Sequence, residues 1–538
     1  MRHASIAVLV LASTAPSIAQ GNTIPGLGSR LTDMPGPVSF GRLGTHPTGR
    51  SGFAFGITIC NNGTVPIDWR APMDPAHPMY AFLFCRESNG RFVQISDRSW
   101  LKHAYASANG NCGGCIIPPA GSAQVGVNCN DAYGAGSSAD RYWLGAPTEI
   151  DPWLQTWNPI GSQFDRGEPP VAGPAAFDGV RSLTRAMADG MDPVKHRVQV
   201  YDDDLATAGT FVVATRILTT GEGDGTREDN MASRRVVPNW NGTQWTFAGH
   251  TSLLAGSPLL QWSGATVRSA TNGSDDGRVY LAGKVTQLAN GQWHYEYAVH
   301  NRDHGRGIAA VRIPKCRGAR ITAAGSRDID RSSFNDWALQ VQAEEVVFLA
   351  GVDNAIEWNT IHNFWFDSDA APWDATTTLV AARPGPGAPE FGVTNVLAPL
   401  QLRNLVLGDG CGSPAPGLFA FGVPSIARIP NPSFGVLVQG APGTGTLFFA
   451  ALASGSTALP GGCMQWLDSG SLTTTGFATT AANGFALHPQ PIPANASLEG
   501  LSVGWQAAQI VANGPLLGQF TLSNGLLVRI GNATPGCP

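Results

Sequence analysis

Residues 279–300 run Val279-Tyr-Leu-Ala-Gly-Lys-Val-Thr-Gln-Leu288, Ala-Asn290-Gly291-Gln, Trp293-His-Tyr-Glu-Tyr-Ala-Val-His300. Two apolar-alternating runs flank an Asn-Gly pair, and Asn-Gly tolerates the positive φ that a tight turn between antiparallel strands demands. The stretch therefore predicts a β-hairpin. In its second strand Trp293, Tyr295, Tyr297 and Val299 share one face, and His294, Glu296, Ala298 and His300 share the other. The aromatic face reads as core. The opposite face reads as the wet side of a two-sided strand, with His294 and His300 as candidate transition-metal ligands and Glu296 as a candidate acid/base.

The same period of two recurs on both sides. Phe53 to Cys60 alternates, Met79 to Cys85 and Phe92 to Ile95 flank Asn89-Gly90, and short strands follow to the end of the chain. Gly (66) and Pro (39) are abundant and charged residues are only 14%, a turn-rich β composition. The expected class is mainly β: tandem antiparallel β-sandwich domains with one or two short helices in the N-terminal part. A chain of 538 residues exceeds one core. The expected division is a signal peptide at 1–19, a loosely ordered lead-in at 20–50, a cysteine-containing β-rich domain at 51–230, an Ig-like sandwich at 231–400 and a C-terminal sandwich module at 405–538, with 383–389 as linker.

Met1-Arg2-His3, the apolar run Ile6 to Leu11 and Ser17-Ile18-Ala19 have the three parts of an export signal cleaved after Ala19. No later apolar run has the length of a membrane span. The expected location is secreted, extracellular or cell-surface. A net charge of -5 argues against a nucleic-acid partner.

Nine cysteines in an exported chain favour disulfides. Cys60 and Cys85 each close a strand and suggest a bridge; Cys112-Gly-Gly-Cys115 suggests a staple; Cys411 and Cys537 suggest a clasp around the last module, with Cys463 the odd thiol and Cys316 in need of a partner. Asp97 followed by Trp100, Leu101, Ala104, Tyr105 and Ala108 predicts a short helix ending at Asn109-Gly110. His103 would lie on its polar side. With Cys112, Cys115 and Cys129 it makes an alternative, closed zinc set. A second helix is expected over Asp178 to Ala188.

Tyr142, Trp143, Trp153 and Trp157 crowd around Glu149 and Asp151. Aromatic faces beside carboxylates are what a glycan-binding cleft uses, and Glu149 and Asp151 are candidate catalytic groups for a glycosidic bond. The bland alternative is an aromatic patch packing one domain on another. Asp224 and Glu228, alternating oxygen ligands in a Gly-containing loop, are candidate calcium ligands, so that Ca2+ is the one cofactor suggested. The nucleophile elbow, the zinc-protease helix and the phosphate-binding loop are all missing.

Cys411-Gly-Ser, Gly-Val-Pro424, Pro-Gly-Gly-Cys463, Pro-Ile-Pro493, Trp-Gln-Ala507 and Leu-Ser-Asn-Gly525 together resemble a C-terminal β-sandwich of large exported proteins of planctomycete-type bacteria. Ser-Trp-Leu-Lys-His103, Tyr-Glu-Tyr-Ala298 with Asn301 and Arg306, and Asn-Phe-Trp-Phe-Asp367 resemble a preceding region of the same proteins. The resemblance implies export and this architecture, and it carries no catalytic residue across. The expected function is a non-catalytic exported or surface protein binding glycan or another surface component. The alternatives are a polysaccharide-acting hydrolase or lyase and, behind it, a metal-dependent enzyme.

Overall fold

The computed structural model describes residues 23–532 except 71, 171–176, 274–276, 403, 423–426 and 499–500. The expected signal at 1–19 and Cys537 lie outside the described residues. The chain is mainly β, with 49% strand against 8% helix, and its sheets are antiparallel with one short parallel pair.

In the first part an eight-stranded sheet has Met79–Ser88 and Thr210–Leu218 at its centre, flanked by Leu101–His103 and Met231–Trp240. A four-stranded sheet containing Ile57–Asn61 and Cys129–Tyr133, and a three-stranded one containing Arg50–Ala54, complete this part. The core holds Phe53, Phe55, Ile59, Trp69, Phe82, Phe84 and Val213. Met79 to Cys85 is apolar almost without a break because both its faces are covered: Phe82 and Phe84 point into this core, while Leu83 and Cys85 point into a second cluster.

That second cluster is the contact with the next sandwich. Thr266–Thr271, Arg278–Gln287, Trp293–Asn301, Thr360–Ser368 and Ile321–Arg327 form one five-stranded sheet. Ala338–Val341, Glu345–Leu349, Ile308–Pro314, Ala370–Ala381 and Glu390–Leu402 form the other. Tyr295, Tyr297, Val299, Phe364 and Phe366 fill the space between them with Val311, Phe348 and Leu379. On the outer face of the first sheet Tyr280, Ala282, Ala298 and Ile361 pack on Leu83, Cys85, Phe92, Val212 and Trp262. Backbone and amide groups close the seam: Asn363 Nδ2 donates to the Phe92 carbonyl at 2.7 Å and the Ile361 N–H donates to Gln94 Oε1 at 2.8 Å.

The last module pairs a six-stranded sheet, which includes Gly445–Ala451, Ser502–Gly514 and Gly525–Arg529, with the three strands Gly417–Phe421, Gly435–Gln439 and Phe485–Pro489. Val436, Val438, Phe448, Trp505 and Val528 lie between them. An Arg529–Asp369 ion pair of 2.7 Å ties the module to the preceding sandwich.

The hairpin at 279–300 forms as read, with Gln287 opposite Trp293 and Gly291 at φ 84°. Other expectations are corrected. Ser29–Asp33 and Val38–Leu43 are paired strands in what composition suggested was a loose lead-in. Met231–Trp240 pairs with Thr210–Leu218, so the first sheet runs past residue 230. Arg383 to Pro389 is a hairpin loop inside the second sandwich, where Arg306 Nε donates to the Arg383 carbonyl at 2.6 Å.

No helix follows Asp97. Leu101–His103 is a strand against Met79 and Tyr80, and Leu101, Lys102 and His103 are all buried, so the apparent polar side was never wet. Only Arg185–Asp189 of the second expected helix is helical, capped by Thr184 Oγ1. The described α-helices all lie in the N-terminal part and have four or five residues each.

The disulfides are Cys60–Cys112, Cys115–Cys129 and Cys411–Cys463, and Cys316 is also oxidised. Among the described residues Cys85 is the free thiol, sealed in the domain contact, where burial pushes its pKa above the usual thiol range. The expected Cys60–Cys85, Cys112–Cys115 and Cys411–Cys537 pairings are thereby replaced. The zinc set is lost with them, because its three thiols are oxidised.

The contact between the first two parts encloses one anion. Asp303 is fully buried and accepts from Arg216 at 2.9 Å, Arg302 at 3.0 Å, Arg227 at 3.2 Å and the Arg278 N–H at 2.6 Å. Burial alone would raise its pKa; Arg302, Arg216 and Arg227 hold it well below the usual carboxylate range. Asp303→Asn removes that charge and leaves the arginines buried without it, so urea unfolding should report a loss of about 3–5 kcal/mol.

Candidate functional site

Alternation and register bring one set of polar side chains together at the rim of this contact. On the outer face of the sheet, Glu296 lies opposite Lys284 and Trp365, and His294 lies opposite Thr286 and Asp367. Cross-strand neighbours on one face are close enough to interact. His294 Nδ1 is 2.6 Å from Asp367 Oδ1 and its Nε2 is 3.0 Å from Glu296 Oε1. Arg91, placed by the Asn89-Gly90 turn, reaches across from the first part and forks Glu296, its Nε 2.8 and 2.9 Å from the two oxygens. The same guanidinium stacks 3.4 Å above the Trp365 ring, whose other side lies on Gly325, where a Cβ has no room.

With a carboxylate at each nitrogen, the protonated imidazole finds a partner for both N–H groups, and protonation is favoured. Hydrogen bonding to Glu296, and then to Asp367, raises its pKa against the opposing effect of partial burial. The lone pairs of Glu296 and the nitrogens of His294 are thus directed at partners within the seam. The arrangement is an electrostatic clamp at a domain seam.

His300 lies on the same face but about 20 Å further along, six residues at the strand rise. It is buried and neutral, its pKa lowered to about 3 by burial, with Nδ1 2.9 Å from Ser257 Oγ. The face expected to be wet is therefore mostly an interior seam, and His294 and His300 do not converge on one ion. No group of three or more His, Cys, Asp or Glu among the described residues is arranged to hold a metal. Asp224 and Glu228, the candidate calcium ligands, face guanidinium groups: Asp224 pairs with Arg278 at 2.6 Å and with Arg302, and Glu228 pairs with Arg302 at 3.1 Å and accepts from the Tyr280 hydroxyl.

The aromatic cluster divides in two. Trp153 and Trp157 are buried. Trp157 Nε1 donates to the Asp74 carbonyl at 2.7 Å while its ring packs on His77, His103 and Phe164; Trp153 lies beneath Arg227. Tyr142 and Trp143 remain half-buried, Tyr142 between Arg181 and Arg185 at 4.3 Å each and Trp143 tilted on Tyr105. Asp151 caps the backbone, its Oδ1 accepting from the Trp153 and Leu154 N–H groups. Glu149 Oε1 accepts from the Gln163 N–H at 2.6 Å, Oε2 is buried with no hydrogen-bond partner among the described residues, and burial lifts its pKa to about 7.

Arg91 and the arginines around Asp303 were not singled out by sequence, and Trp365 and Asp367 entered only as part of the Asn-Phe-Trp-Phe-Asp367 motif, without a site role. Asp367 closes a readable strand, but Arg91 is 205 residues from Glu296 and no local pattern joins them. Lys102 was missed too. It is fully buried, its pKa lowered to about 7 by burial, with Nζ 4.3 and 4.5 Å from the Tyr105 and Tyr133 ring centres.

No family model matches the chain, and no curated protein matches it. Among solved structures it is similar to Escherichia coli alpha-2-macroglobulin activated by porcine elastase, at 7% identity and a TM-score of 0.14, over 96% of this chain and 35% of that one. It is also similar to Salmonella alpha-2-macroglobulin reacted with methylamine, at 10% identity and a TM-score of 0.16, over 96% and 40%. The chain thus spans well under half of either protein. Its disulfides suit an extracellular setting. Among the described residues no helix is long and apolar enough to cross a membrane.

Trp157→Ala opens a cavity beside His103 and Phe164, and Trp153→Ala uncovers Arg227. Each should lower stability by about 3–5 kcal/mol in thermal or urea unfolding, whereas Tyr142→Ala should fall well below that. For His294, stabilisation by the clamp is complete below the unfolded pKa of about 6.5 and is lost as pH rises through its raised folded pKa. NMR titration of the ring should show that raised value, and Asp367→Asn should bring it down.

Proposed function

We propose that this chain is a non-catalytic exported or cell-surface protein, of the kind found in planctomycete-type bacteria, whose tandem β domains bind a glycan or another surface component. The observation that carries the reading is the neutralisation of its carboxylates. Glu296, the best-placed acid on the sheet face, is forked by Arg91. Asp224 and Glu228 are held by arginines and Asp151 by backbone N–H groups. General acid–base work needs a group whose proton is free to move at the working pH. A welded two-part body with such groups locked suits positioning and adhesion.

The accessible remainder of the aromatic cluster, Tyr142 and Trp143 with Arg181 and Arg185, is the proposed contact for the ligand, since planar rings and guanidinium groups suit sugar hydroxyls and ring faces. Retention of the folded protein on polysaccharide columns or native cell envelopes should fall at least tenfold in Tyr142→Ala with Trp143→Ala. Retention equal to the unaltered protein would reject this surface.

One observation favours a polysaccharide-acting hydrolase as the second reading: the unpartnered Oε2 of Glu149 and its pKa near 7, the state a general acid requires. Under the first reading, incubation with a polysaccharide panel releases no reducing ends. Under the second, release occurs and Glu149→Gln abolishes it.

A further inference from the structure

His77 and His103 are fully buried where the segment from Arg141 to Met191 rests on the first part, and their rings meet nitrogen to nitrogen, His77 Nε2 lying 2.6 Å from His103 Nδ1. The hydrogen bonds fix where the protons are. His77 Nδ1 is 2.6 Å from the Asp74 carbonyl. A carbonyl only accepts, so Nδ1 carries the proton and, in a neutral ring, Nε2 is bare. His103 Nδ1 then carries the proton given to His77, which leaves His103 Nε2 bare as well. That nitrogen is buried with no hydrogen-bond partner among the described residues, and it lies against the Gly145 backbone, where a Cβ would be only 2.2 Å away.

A third proton has no place in this pair. On His77 Nε2 it would face the N–H of His103; on His103 Nε2 it would be a buried donor with no acceptor, which is costly. The charged neighbours give little relief. The Asp74 carboxylate accepts from the Ala76 N–H and pairs with Arg70, and Asp165, beside Phe164, accepts from the Gly161 and Gly179 N–H groups. Burial, and behind it the charges of Lys102 and Arg181, lowers the pKa of His77 to about 4 against the raising effect of Asp74, and lowers that of His103 well below the ordinary value.

Trp157 packs its edge on both rings, 5.3 and 4.8 Å between centres, and Phe164 packs on His103 at 4.7 Å. Among the described residues from Arg141 to Met191 no strand exceeds two residues and no α-helix exceeds five. A unit held by so few backbone bonds opens separately from the sheets beneath it. We propose that His77 and His103 form an acid-sensitive latch, in which uptake of one proton from solvent parts the rings and frees the segment from Leu101–His103 and the turn at Asp74. Arg181 donates to the Tyr142 carbonyl at 2.8 Å and stacks 3.9 Å over Phe164, so opening also dismantles the Tyr142 surface. That consequence rests on the glycan reading; the opening itself does not.

In the open segment each ring regains a pKa of about 6.5. Closure is therefore fully held above that pH and weakens about tenfold per ring for each unit below it. Glu149 acts the other way. Burial lifts its pKa to about 7 in the closed state, so its retained proton favours closure by about tenfold per unit over the same range. Lys102, its pKa lowered to about 7 by burial, is already charged there and repels the incoming proton. Two rings against one carboxyl leave a net opening of about tenfold per unit below about pH 6.

Hydrogen exchange of the full chain, read peptide by peptide and corrected for the intrinsic pH dependence of exchange, tests the latch. Peptides within Leu144 to Phe164 should open about tenfold more at about pH 5 than at about pH 6, while Thr210–Leu218 and Gly445–Ala451 keep their protection. Glu149→Gln removes the opposing carboxyl and should steepen the change to about a hundredfold. NMR of the histidine rings, which needs no variant, should show both as neutral Nδ1–H tautomers at neutral pH. Protection of this segment that ignores pH, loss of protection in all three regions together, a slope that Glu149→Gln leaves unaltered, or either ring as the Nε2–H tautomer would overturn the proposal. A polysaccharide held at neutral pH should be released in step with the opening, and retention by an opened segment would overturn the coupling to ligand. Absence of retention at neutral pH counts against the Tyr142 surface alone and leaves the exchange result to decide the latch.

Discussion

Asp303 is the point on which the larger body depends. Taking a carboxylate out of water is costly, and only close, well-directed positive charge offsets it. Here the charge is shared: Arg216 and Arg227 come from the first part, and Arg302 and the Arg278 N–H from the second. Neither part alone satisfies the anion. The apolar contact of Tyr280, Ala282 and Ala298 with Leu83 and Val212 supplies burial, but burial has no direction. The forked and backbone hydrogen bonds around Asp303 supply the direction, and they fix which face of the hairpin meets the first sheet. The Arg91–Glu296 fork repeats the device at the rim of the same seam.

This arrangement explains why chemistry suggested by residue type is not carried by residue position. Glu296, Asp224 and Glu228 are the sort of carboxylates that catalysis or metal binding employs, and each has a guanidinium partner. A carboxylate with such a partner has its lone pairs directed at nitrogen. Glu149 is the contrast. Among the described residues it has the Gln163 N–H as its hydrogen-bond donor and no ion pair, so burial dominates and lifts its pKa to about 7.

What sequence revealed follows from the same physics. Alternation identified the hairpin at 279–300, the aromatic face of its second strand and the β class, because one face of an antiparallel strand against a sandwich core leaves a period of two. It failed where both faces are covered. Trp100, Leu101, Ala104, Tyr105 and Ala108 gave an apparent helical stripe because the interior His103 looked like a polar side, and the outer face of Trp293–Asn301 looked wet because Glu296 and His300 are polar. Both mistakes come from equating polarity with exposure. The Trp153 and Trp157 patch is the mirror case, aromatic and near carboxylates, yet spent on packing. Arg383 to Pro389 looked like a linker because a hairpin loop and a linker share a composition. The cysteines were read correctly as oxidised and wrongly as to partners, since pairing depends on which strands lie side by side.

Where the disulfides fall adds a last constraint. Core residues need no covalent aid: Phe53, Phe84 and Tyr297 are fixed by their neighbours. The staples tie outlying segments to buried strands: Cys129, in the first core, holds Cys115, buried Cys60 holds Cys112, and Cys411–Cys463 holds the hairpin beside the C-terminal sandwich. Loops separated by 52 and 14 residues correspond to about 4 and 3 kcal/mol of lost unfolded-state entropy. A turn whose position did not matter would tolerate motion, as surface loops usually do. These bridges limit the motion of the segment carrying Ile116 and Ile117, and the exposed loop at Phe334 contains no cysteine.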